Sequence, residues 1–418
     1  MQEKIYEIKK GVEFCKENVP YYKNSLKGVT IKLLQDFKKI PIISKKDYVN
    51  NTPPANSKML SRKAGSCFLF STGGTTSNPK YVLRDFKDIE EQYIEYSGLN
   101  VSSEDTVLNL FMPGIWGIFT TANLTLMKFG CKIIPYGGSN LNKENHKAIV
   151  KLIEDFNVNF LIGVPSTVIS VINHLKKENK FDAIKKINKI FCLGEMITES
   201  MMDYFKSNLP NAKVKSKYGL MESAGIGYQC EYIEGDKYHI FPDRYIEIIK
   251  NSPKVEEGSI VVTTLNKRLV PLLRYKTGDV GVLKNFTCKC GVRSILQVKG
   301  RRDDEVIFAS VHLSINLISA VIDKVNSGCG KIFQIILTKK SGLDFVEVRI
   351  ESEAPIKKIG RNKIADKLFK EFCKEIPDIF DAISSKKMGG FFINVVNPGS
   401  ISRVGSSWKI KKIIDLRE

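Results

Sequence analysis

The chain has 418 residues, of which 43% are hydrophobic and 10% aromatic, and it carries a formal net charge of +20. This composition excludes a disordered chain, and the length allows two or more domains that each have a core. The lysines are scattered from Lys4 to Lys412, without an arginine-rich tract or a nucleic-acid-binding motif. We therefore interpret the charge as diffuse, and we expect no nucleic-acid partner.

The cysteines and the apolar stretches predict the cellular location. Most of the nine cysteines stand singly in apolar runs, and residues 1–10 contain no apolar signal core. Both features are typical of a cytoplasmic protein with reduced thiols. Residues 107–127 carry no charge and are long enough to span a bilayer, but Asn109, Pro113 and several threonines and glycines favour a buried strand, loop and helix. We expect a cytoplasmic protein with no membrane span.

The first fifty residues are predicted to be helical and then rich in turns. Helices are expected over 11–18 and 31–39, with breaks at Pro20 and Pro41. Further along the chain, the predicted strands are 67–70, 106–111, 132–135, 159–164, 187–193 and 213–217, and the predicted helices are 143–156, 165–177 and 199–208. Strands that alternate with crossover helices predict a parallel or mixed sheet in a layered α/β fold.

The pattern changes after about residue 238. Short strands bounded by turns, at 245–249, 258–264, 272–275 and 279–284, predict a β-rich subdomain over about 239–300. After the charged segment 300–304, the strands 333–338, 345–350 and 390–396 and the helix 362–375 predict a compact α+β module. The predicted fold class is therefore α/β, with a large N-terminal layered α/β domain over 1–300 and a small α+β C-terminal domain over 301–418.

A loop rich in glycines and hydroxyl side chains follows the first predicted strand. It reads Ser71-Thr72-Gly73-Gly74-Thr75-Thr76-Ser77-Asn78-Pro79-Lys80. Glycines let the backbone approach an anion, hydroxyl and amide groups donate to phosphate oxygens, and Lys80 adds a positive charge. The spacing differs from that of a Walker A loop. The loop suits a nucleotide triphosphate, and the alternative is a polar turn between strands.

Four further segments fit a nucleotide site, and each also has a plain structural interpretation. Tyr218-Gly219-Leu220-Met221-Glu222 offers a ring for a purine and a hard oxygen ligand for Mg²⁺, or it is a core tyrosine beside a surface glutamate. Asp279 follows a predicted turn and suits a ribose hydroxyl, or it belongs to a solvated hairpin. The segment 300–304 supplies cations or is a charged linker. The loop 402–415 brings a lysine to a phosphate or is a basic tail.

Together, and in this order, the five segments resemble those of the adenylate-forming superfamily, which includes acyl-CoA synthetases, nonribosomal adenylation domains and luciferases. The greater similarity is to the phenylacetate–CoA ligase branch, and it extends along nearly the whole chain, at 19–22, 40–47, 238–243, 263–265 and 412–415. The resemblance implies a large N-terminal domain that holds ATP and a carboxylic acid, and a small, mobile C-terminal domain. A homodimer is compatible with it.

The resemblance also implies two half-reactions. A carboxylate attacks the α-phosphate of MgATP, giving an acyl-adenylate and pyrophosphate, and a nucleophile, usually the thiol of coenzyme A, then displaces AMP. The residues implied are Thr72, Gly74, Thr75, Thr76 and Lys80 in the phosphate loop, Gly194, Glu195, Tyr218 and Gly219 beside the nucleotide, Glu222 on Mg²⁺, Asp279 on the ribose, Arg301 near the hinge, and the adenylation lysine Lys409. Of these, Glu222, Arg301 and Lys409 are the expected catalytic residues.

Four residues of types that zinc accepts flank the predicted β-rich subdomain: Cys230, His239, Cys288 and Cys290. Similar cysteines in parts of the phenylacetate–CoA ligase branch resemble a structural zinc site. The spacing is not a standard one, so the alternative is a set of buried free thiols with a surface histidine. Four protein ligands leave no open position, so any zinc here is expected to be structural.

The sequence departs from the family pattern in the nucleotide segments. Ser77 stands where the phosphate loop usually has a glycine, and Met221 stands where a threonine hydroxyl usually helps to hold the α-phosphate. Trp408 replaces the glycine that usually precedes the C-terminal lysine. Lys411 follows Lys409 by only two residues and is the alternative working lysine.

Residues 309–312 replace an arginine–glycine pair that the family usually has in the loop for thioester formation. The acyl acceptor is therefore coenzyme A or, alternatively, a carrier-protein thiol, an amine or a sugar hydroxyl, as in antibiotic or polysaccharide biosynthesis. A third hypothesis is a degenerate, non-enzymatic protein that binds anions. The retained Lys80, Glu222, Asp279 and Lys409 count against it, because a simple binding protein does not need all four.

The sequence leaves the identity of the acid open. Four aromatic residues near the predicted strand ends suggest an apolar, aromatic substrate: Phe111, Trp116, Tyr136 and Tyr228. The alternative is that they are ordinary core residues.

Overall fold

The computed structural model of the chain describes residues 2–71, 80–138, 143–195, 197–250, 252–301, 305–308, 311–325, 328–401 and 410–417. The chain forms two compact units. The first comprises Met1–Ile197 and Leu209–Gly300, and the second comprises Thr198–Asn208 and Arg301–Glu418. The segment Thr198–Asn208, which the sequence pattern assigns to the N-terminal domain, groups with the second unit, where its helix contacts another helix.

The helices are α1 (Gln2–Asn18), α2 (Pro20–Ser25), α3 (Lys45–Asn51), α4 (Phe86–Glu90), α5 (Ile118–Met127), α6 (Lys143–Asp155), α7 (Pro165–Lys177), α8 (Phe181–Lys186), α9 (Glu199–Asn208), α10 (Ile315–Val325), α11 (Lys358–Glu375) and α12 (Pro377–Ser384). Short 3₁₀ helices span Leu34–Lys39 and Glu91–Tyr96.

The strands of the first unit are β1 (Cys67–Ser71), β2 (Tyr81–Asp85), β3 (Thr106–Asn109), β4 (Lys132–Ile134), β5 (Phe160–Gly163), β6 (Lys189–Cys192), β7 (Lys213–Leu220), β8 (Ala224–Tyr228), β9 (Lys237–Ile240), β10 (Arg244–Ile249), β11 (Gly258–Thr264), β12 (Tyr275–Asn285) and β13 (Ser294–Arg301). The second unit contributes β14 (Glu305–Phe308), β15 (Val311–Ser314), β16 (Cys329–Lys340), β17 (Leu343–Ser352), β18 (Gly390–Val396) and β19 (Ile413–Leu416).

A sheet of eleven strands is the scaffold of the first unit, in the order β10-β11-β12-β13-β9-β8-β7-β6-β5-β3-β4. From β4 to β7 neighbouring strands are parallel, as expected where helices connect successive strands. From β7 to β10 the pairs with a described register are antiparallel. The mixed α/β fold class predicted from the sequence is therefore confirmed, and the predicted β-rich region continues this same sheet.

The predicted break at Pro20 is confirmed: α1 ends at Asn18, and Pro20 begins the separate helix α2, because the missing N–H of a proline is tolerated in the first turn. Two local predictions were wrong. The stretch 31–39 forms only the short 3₁₀ helix Leu34–Lys39. The predicted strands 272–275 and 279–284 are a single strand, β12, which begins at Tyr275. Gly278, with a φ of +88°, lies in a β-bulge rather than in a turn between two strands.

Two large apolar clusters lie among the described residues of the first unit. In α1, Ile8, Val12 and Cys15 recur at helical spacing and are buried against the antiparallel part of the sheet, which includes Ile260 and Tyr275. A second core fills the parallel part with side chains of β3, β5, β6 and α5. Because both faces of the parallel strands are covered, these strands are continuous apolar runs.

The second unit has its own sheet, in the order β18-β17-β16-β19. β16 and β17 form an antiparallel pair, and the outer strands add in parallel. Ile335, Val348, Phe372 and Phe391 belong to a core that joins this sheet to α10, α11 and α12. In the part of the chain that the structure describes, no helix is long and apolar enough to cross a bilayer.

Candidate active site

A three-residue turn after β7 carries Glu222. Leu220 pairs with Ala224 across β7 and β8, so Met221, Glu222 and Ser223 connect the two strands. Ala224 has a φ of +63°, a left-handed conformation that is uncommon for a residue with a Cβ atom. Glu222 is 5% exposed. A carboxylate buried to this extent requires hydrogen-bonding or charged partners.

Lys80 and Tyr275 are side-chain partners of Glu222. The Lys80 ammonium forms a hydrogen-bonded ion pair with Oε1, and the Tyr275 hydroxyl donates to the same oxygen at 2.7 Å. Burial acts to raise the pKa of this carboxyl, but the Lys80 charge and the hydrogen bonds from Lys80 and Tyr275 outweigh it. The pKa of Glu222 therefore lies below its ordinary value. The carboxylate is ionised at neutral pH although it is buried.

Lys80 ends the predicted phosphate loop. The loop joins β1 to β2, an antiparallel pair in which Ser71 lies opposite Tyr81. Four residues predicted to bind phosphate lie outside the described residues: Thr72, Gly74, Thr75 and Thr76. Their role stays a prediction, whereas the structure places Lys80 directly beside Glu222.

Tyr218 and Asp279 form a second polar pair. The Tyr218 hydroxyl donates to Oδ2 of Asp279 at 2.6 Å, and Asp279 is 6% exposed. The bulge at Gly278 presents Asp279, whose amide donates to Oγ1 of Thr277 at 3.0 Å. The structure thus brings together the residues predicted to border the adenine and to hold the ribose, although the two roles stay predictions.

Strand β12 contacts the end of β7 and the turn that follows it through two hydrogen bonds, between Tyr275 and Glu222 and between Tyr218 and Asp279. Tyr275 and Asp279 are four residues apart on β12, and Tyr218 and Glu222 are four residues apart at the end of β7. In the sheet, β13, β9 and β8 stand between these two strands, so a flat sheet would separate them by about 19 Å. Direct hydrogen bonds between them require the sheet to curl, and the curl assembles the site.

Gly219 has a structural reason to be glycine. A Cβ atom at this position would lie 2.6 Å from the carbonyl oxygen of Ala224 on the paired strand. The register shifts between Tyr218 and Gly219, and the backbones approach closely there. The β7–β8 hairpin therefore needs this glycine whether or not a nucleotide also contacts it. Met221, at the position of the expected threonine, packs against the core of the first unit.

Gly194 and Glu195 follow β6. Gly194 has a φ of +96°, and the Glu195 carboxylate accepts from the amide of Ser166 at 3.3 Å and from its hydroxyl at 3.1 Å. Ser166 lies in the first turn of α7, where a carboxylate is favoured by the helix dipole. The predicted contact of Gly194 and Glu195 with a nucleotide stays a prediction.

The other two predicted catalytic residues are less fully described. Arg301 is the last residue of β13, and only its backbone is described. Lys409 lies outside the described residues. Lys411, the alternative lysine, is described, and its carbonyl oxygen accepts from the side chain of Gln334 at 2.8 Å within the second unit.

Three buried side chains at the Glu222 turn have no role in the sequence motifs: Arg84, Arg244 and Tyr275. Arg84 donates to the carbonyl oxygens of Leu220 and Met221, and Arg244 donates to that of Ser223. An arginine inside an apolar strand, as at Arg84, is a sequence signal for such a buried contact. Nothing in the local sequence indicates the contact between Tyr275 and Glu222, because it joins distant segments.

The predicted zinc ligands converge in the structure. The ligand atoms of Cys230, His239, Cys288 and Cys290 all lie within 4.8 Å of one another. The Sγ atoms of Cys230 and Cys288 are 3.7 Å apart, and Nε2 of His239 lies 3.2 Å from Sγ of Cys290. Nδ1 of His239 lies 3.2 Å from the carbonyl oxygen of Ser294, a contact that orients the imidazole ring.

The four candidate acyl-pocket aromatics have different surroundings. Phe111 belongs to the core of the parallel strands. Tyr228 is buried, with its ring 5.6 Å from that of His239 and 5.5 Å from that of Phe241. Both fit the alternative of ordinary core residues. Trp116 and Tyr136 are partly exposed and stay candidates for an acyl pocket.

Comparison with known proteins identifies the family. Residues 16–263, more than half of the chain, match the family described as AMP-binding enzyme. The phenylacetate-coenzyme A ligase of Aromatoleum evansii is 28% identical over 98% of this chain and 93% of its own length. The phenylacetate-coenzyme A ligase of Thermus thermophilus is 24% identical over 98% of this chain and 95% of its own length. The indoleacetate–lysine synthetase of Pseudomonas savastanoi is 25% identical over 62% of this chain and 63% of its own length.

Solved structures share the fold. A structure of 2-hydroxyisobutyryl-CoA ligase in the postadenylation state, in complex with R3-HIB-AMP, has a TM-score of 0.81 at 18% identity and covers 99% of this chain and 89% of its own. An acyl acid amido synthetase in complex with 2,4-DB has a TM-score of 0.70 at 14% identity, and it covers 99% of this chain and 91% of its own. The chain therefore belongs to the AMP-binding enzyme family, and within this adenylate-forming superfamily to the phenylacetate–CoA ligase-like branch that the motifs predicted.

Proposed function

We propose that the protein is an AMP-forming acid–thiol ligase, which activates a carboxylic acid with ATP and passes the acyl group to coenzyme A. The observation that carries the proposal is the double contact of β12 with the end of β7, through Tyr275 with Glu222 and through Asp279 with Tyr218. In this member of the AMP-binding enzyme family, the pairs contain the two residues to which the motifs assign these roles, Glu222 as the metal ligand and Asp279 as the ribose acceptor.

In the first half-reaction, an oxygen of the substrate carboxylate bonds to the α-phosphorus of ATP. The bond between that phosphorus and the bridging oxygen of pyrophosphate breaks, and the electron pair leaves with pyrophosphate. The protein positions the reactants and supplies positive charge, so no covalent nucleophile of its own is needed. In this proposal Asp279 accepts from the ribose, Tyr218 borders the adenine, and Lys80 and Lys409 face the phosphates.

Glu222 fits a magnesium ligand. Its carboxylate is ionised, and both side-chain hydrogen bonds, from Lys80 and Tyr275, reach Oε1. Oε2 therefore accepts from no side chain among the described residues. Mg²⁺ prefers one or two carboxylates together with substrate phosphates, and when bound it neutralises charge on the phosphate oxygens.

The acyl acceptor is coenzyme A in the main proposal, because phenylacetate-coenzyme A ligases match this chain over nearly its whole length. In the second half-reaction the thiolate sulfur bonds to the acyl carbon, and the bond from that carbon to the AMP oxygen breaks. The same relatives favour an aromatic acid. An amine is the second candidate acceptor, since indoleacetate–lysine synthetase also matches and residues 309–312 lack the arginine–glycine pair.

The Cys230, His239, Cys288 and Cys290 cluster holds one structural zinc ion in this proposal. A tetrahedron with Zn–S bonds of about 2.3 Å has sulfur–sulfur edges of about 3.8 Å, close to the 3.7 Å between Cys230 and Cys288. The carbonyl oxygen of Ser294 beside Nδ1 of His239 is a common outer-shell partner of a zinc-bound histidine. The four side chains complete the coordination, so the zinc takes no part in the reaction.

The experiment that tests the main proposal is an acid-dependent ATP–pyrophosphate exchange assay with purified protein and a panel of aromatic, fatty and amino acids. We expect exchange with at least one aromatic acid, followed by rapid thioester formation when coenzyme A is added. No exchange with any acid would refute the adenylation step. Exchange without thioester formation, together with product formation from lysine or another amine, would move the assignment to the second candidate.

A further inference from the structure

The backbone of the Glu222 turn is held by two buried arginines that the proposed reaction does not use. Nη2 of Arg84, on β2, donates to the carbonyl oxygens of both Leu220, at 3.2 Å, and Met221. Nη2 of Arg244, on β10, donates to the carbonyl oxygen of Ser223 at 2.9 Å. The carbonyls on both sides of Glu222 are therefore fixed from two different strands.

Both arginines occupy costly positions. Arg84 is 6% exposed and Arg244 is 1% exposed. Burial, and then the nearby charge of Arg268, lowers the pKa of both guanidinium groups, to about 10 for Arg84 and about 9 for Arg244. Nε of Arg244 is buried without a hydrogen-bond partner among the described residues. Buried cations of this kind destabilise a fold unless their contacts compensate.

The turn ends in a strained backbone conformation. Ala224, at its end, has a φ of +63°, and the register of the β7–β8 pair is irregular at Gly219. A left-handed φ at a residue with a Cβ atom is strained and persists only where the surroundings enforce it. The two guanidinium groups donate to the carbonyl oxygens of Leu220, Met221 and Ser223, which flank Glu222 and precede Ala224.

We propose that Arg84 and Arg244 are positioning residues that fix the Met221–Ser223 turn, so that the Glu222 carboxylate is presented to a divalent cation in one orientation. The inference rests on the proposed function, in which Glu222 is the magnesium ligand. It extends that function because Arg84 and Arg244, which touch neither the cation nor the substrates, determine the orientation of the Glu222 carboxylate. Outer-shell groups of this kind typically change metal affinity or activity by about 10- to 100-fold when they are mutated.

The alternative is that the two arginines only stabilise the fold, and Arg274 provides a matched control. Arg274 is 5% exposed, and its Nη1 donates to two backbone carbonyls, of Lys38 at 2.9 Å and Ile40 at 2.5 Å. It also forms a bidentate pair with Glu247, and none of its hydrogen bonds reaches the Glu222 turn. Arg274 therefore matches Arg84 in its burial and in its bonds to two backbone carbonyls, while its own hydrogen bonds lie outside the Glu222 turn.

The test compares Arg84→Lys, Arg244→Lys and Arg274→Lys in the full chain. We expect the first two variants to raise the Mg²⁺ concentration for half-maximal ATP–pyrophosphate exchange by about 10- to 100-fold, with the KM for the acid unchanged. Arg274→Lys should lower the melting temperature but keep the wild-type Mg²⁺ requirement. If all three variants lose stability and keep the wild-type Mg²⁺ requirement, the inference is wrong. If neither turn variant folds while Arg274→Lys does, the two arginines serve stability alone.

A second measurement separates this inference from the proposed function. Calorimetric binding of a non-hydrolysable ATP analogue, with and without Mg²⁺, needs no turnover. Wild-type protein that binds the analogue in a Mg²⁺-dependent manner but catalyses no exchange would refute the proposed reaction, and weaker Mg²⁺-dependent binding by Arg84→Lys would still support the inference. Wild-type protein that shows no Mg²⁺-dependent binding would refute both.

Discussion

The hydroxyl of Tyr275 donates a hydrogen bond of 2.7 Å to the carboxylate of Glu222, although the strands that lead to these residues are not neighbours in the sheet. Tyr275 is 1% exposed, and its ring packs edge-on against that of Tyr48 at 5.9 Å. The ring is fixed in the core while its hydroxyl reaches the site. The apolar core of the first unit therefore determines where one of the donors to Glu222 stands.

Replacement of this donor is the first test. We expect Tyr275→Phe to lower the free energy of unfolding by about 1.5 to 3 kcal/mol, because a buried, ionised carboxylate loses a hydrogen bond. Urea denaturation measures the change. Tyr48→Phe is the control, because the Tyr48 hydroxyl is buried without a partner among the described residues, so its removal should not destabilise the protein. Equal losses in the two variants would contradict a specific role for the Tyr275 hydroxyl.

The pH dependence of stability follows from Glu222. Its pKa in the folded protein lies below the ordinary value of 4.5, so its ionised form stabilises the fold above pH 4.5. This contribution is lost as the pH falls through the folded-state pKa. In Lys80→Met, we expect burial to become the dominant influence on the pKa of Glu222 and to raise it. The protein should then lose stability at a higher pH than the wild type as the solution is acidified.

Unfolding midpoints measured between pH 3 and pH 8 would reveal this shift for Lys80→Met, and Lys87→Met, at an exposed lysine, is the control. If Lys80→Met loses stability at the same acidic pH as the wild-type protein, Lys80 does not determine the pKa of Glu222.

The pair of Tyr218 and Asp279 predicts how ATP is recognised. If Asp279 accepts from the ribose, Asp279→Asn should raise the KM for ATP by about 10- to 100-fold, because a hydrogen bond to a charged acceptor is weakened. Tyr218→Phe should have a smaller effect, since it removes only the hydroxyl that holds Asp279 at 2.6 Å.

Deoxy analogues of ATP identify the interaction directly. Wild-type protein should discriminate against 2′-deoxy- or 3′-deoxy-ATP, and Asp279→Asn should discriminate less, which a double-mutant cycle quantifies. Undiminished discrimination in Asp279→Asn would place the ribose elsewhere.

Metal removal tests the cysteine–histidine cluster. We expect one zinc ion per chain by elemental analysis of the purified protein, and a melting temperature that falls when zinc is chelated. Cys288→Ala should lose the zinc, whereas Cys15→Ala, at another buried free thiol, should retain it. Adenylation measured well below the melting temperature should change little in the folded fraction of Cys288→Ala. A zinc-free wild-type protein would contradict the site.

The two C-terminal lysines give the last test. We expect Lys409→Ala to slow acyl-adenylate formation by about 100-fold or more, because a positive charge at the transferring phosphate is removed. Lys411→Ala should retain activity, since the described contact of Lys411 is made by its backbone carbonyl. Single-turnover adenylation with labelled ATP separates this step from thioester formation. If Lys411→Ala slows acyl-adenylate formation and Lys409→Ala does not, Lys411 is the lysine that acts in adenylation.

Local patterns in the sequence were sufficient for the fold class and the family. The alternation of apolar strands with helices between residues 106 and 217 appears in the structure as parallel strands and crossover helices. Turn signals were less reliable: Gly278 suggested a break between two strands but lies in a bulge within β12. A glycine with positive φ serves both structures, so the residue alone does not distinguish them.

The sequence by itself determined which residue types were available for chemistry: a glycine- and hydroxyl-rich loop, Glu222 after a tyrosine–glycine pair, Asp279 and the spaced cysteines. Only the tertiary structure decided which of them meet. Lys80 and Glu222 are 142 residues apart, and Tyr218 and Asp279 are 61 apart. Local propensities extend over a few residues, whereas these contacts depend on the curl of an eleven-stranded sheet and on cores that fix Tyr275, Arg84 and Arg244 around one turn.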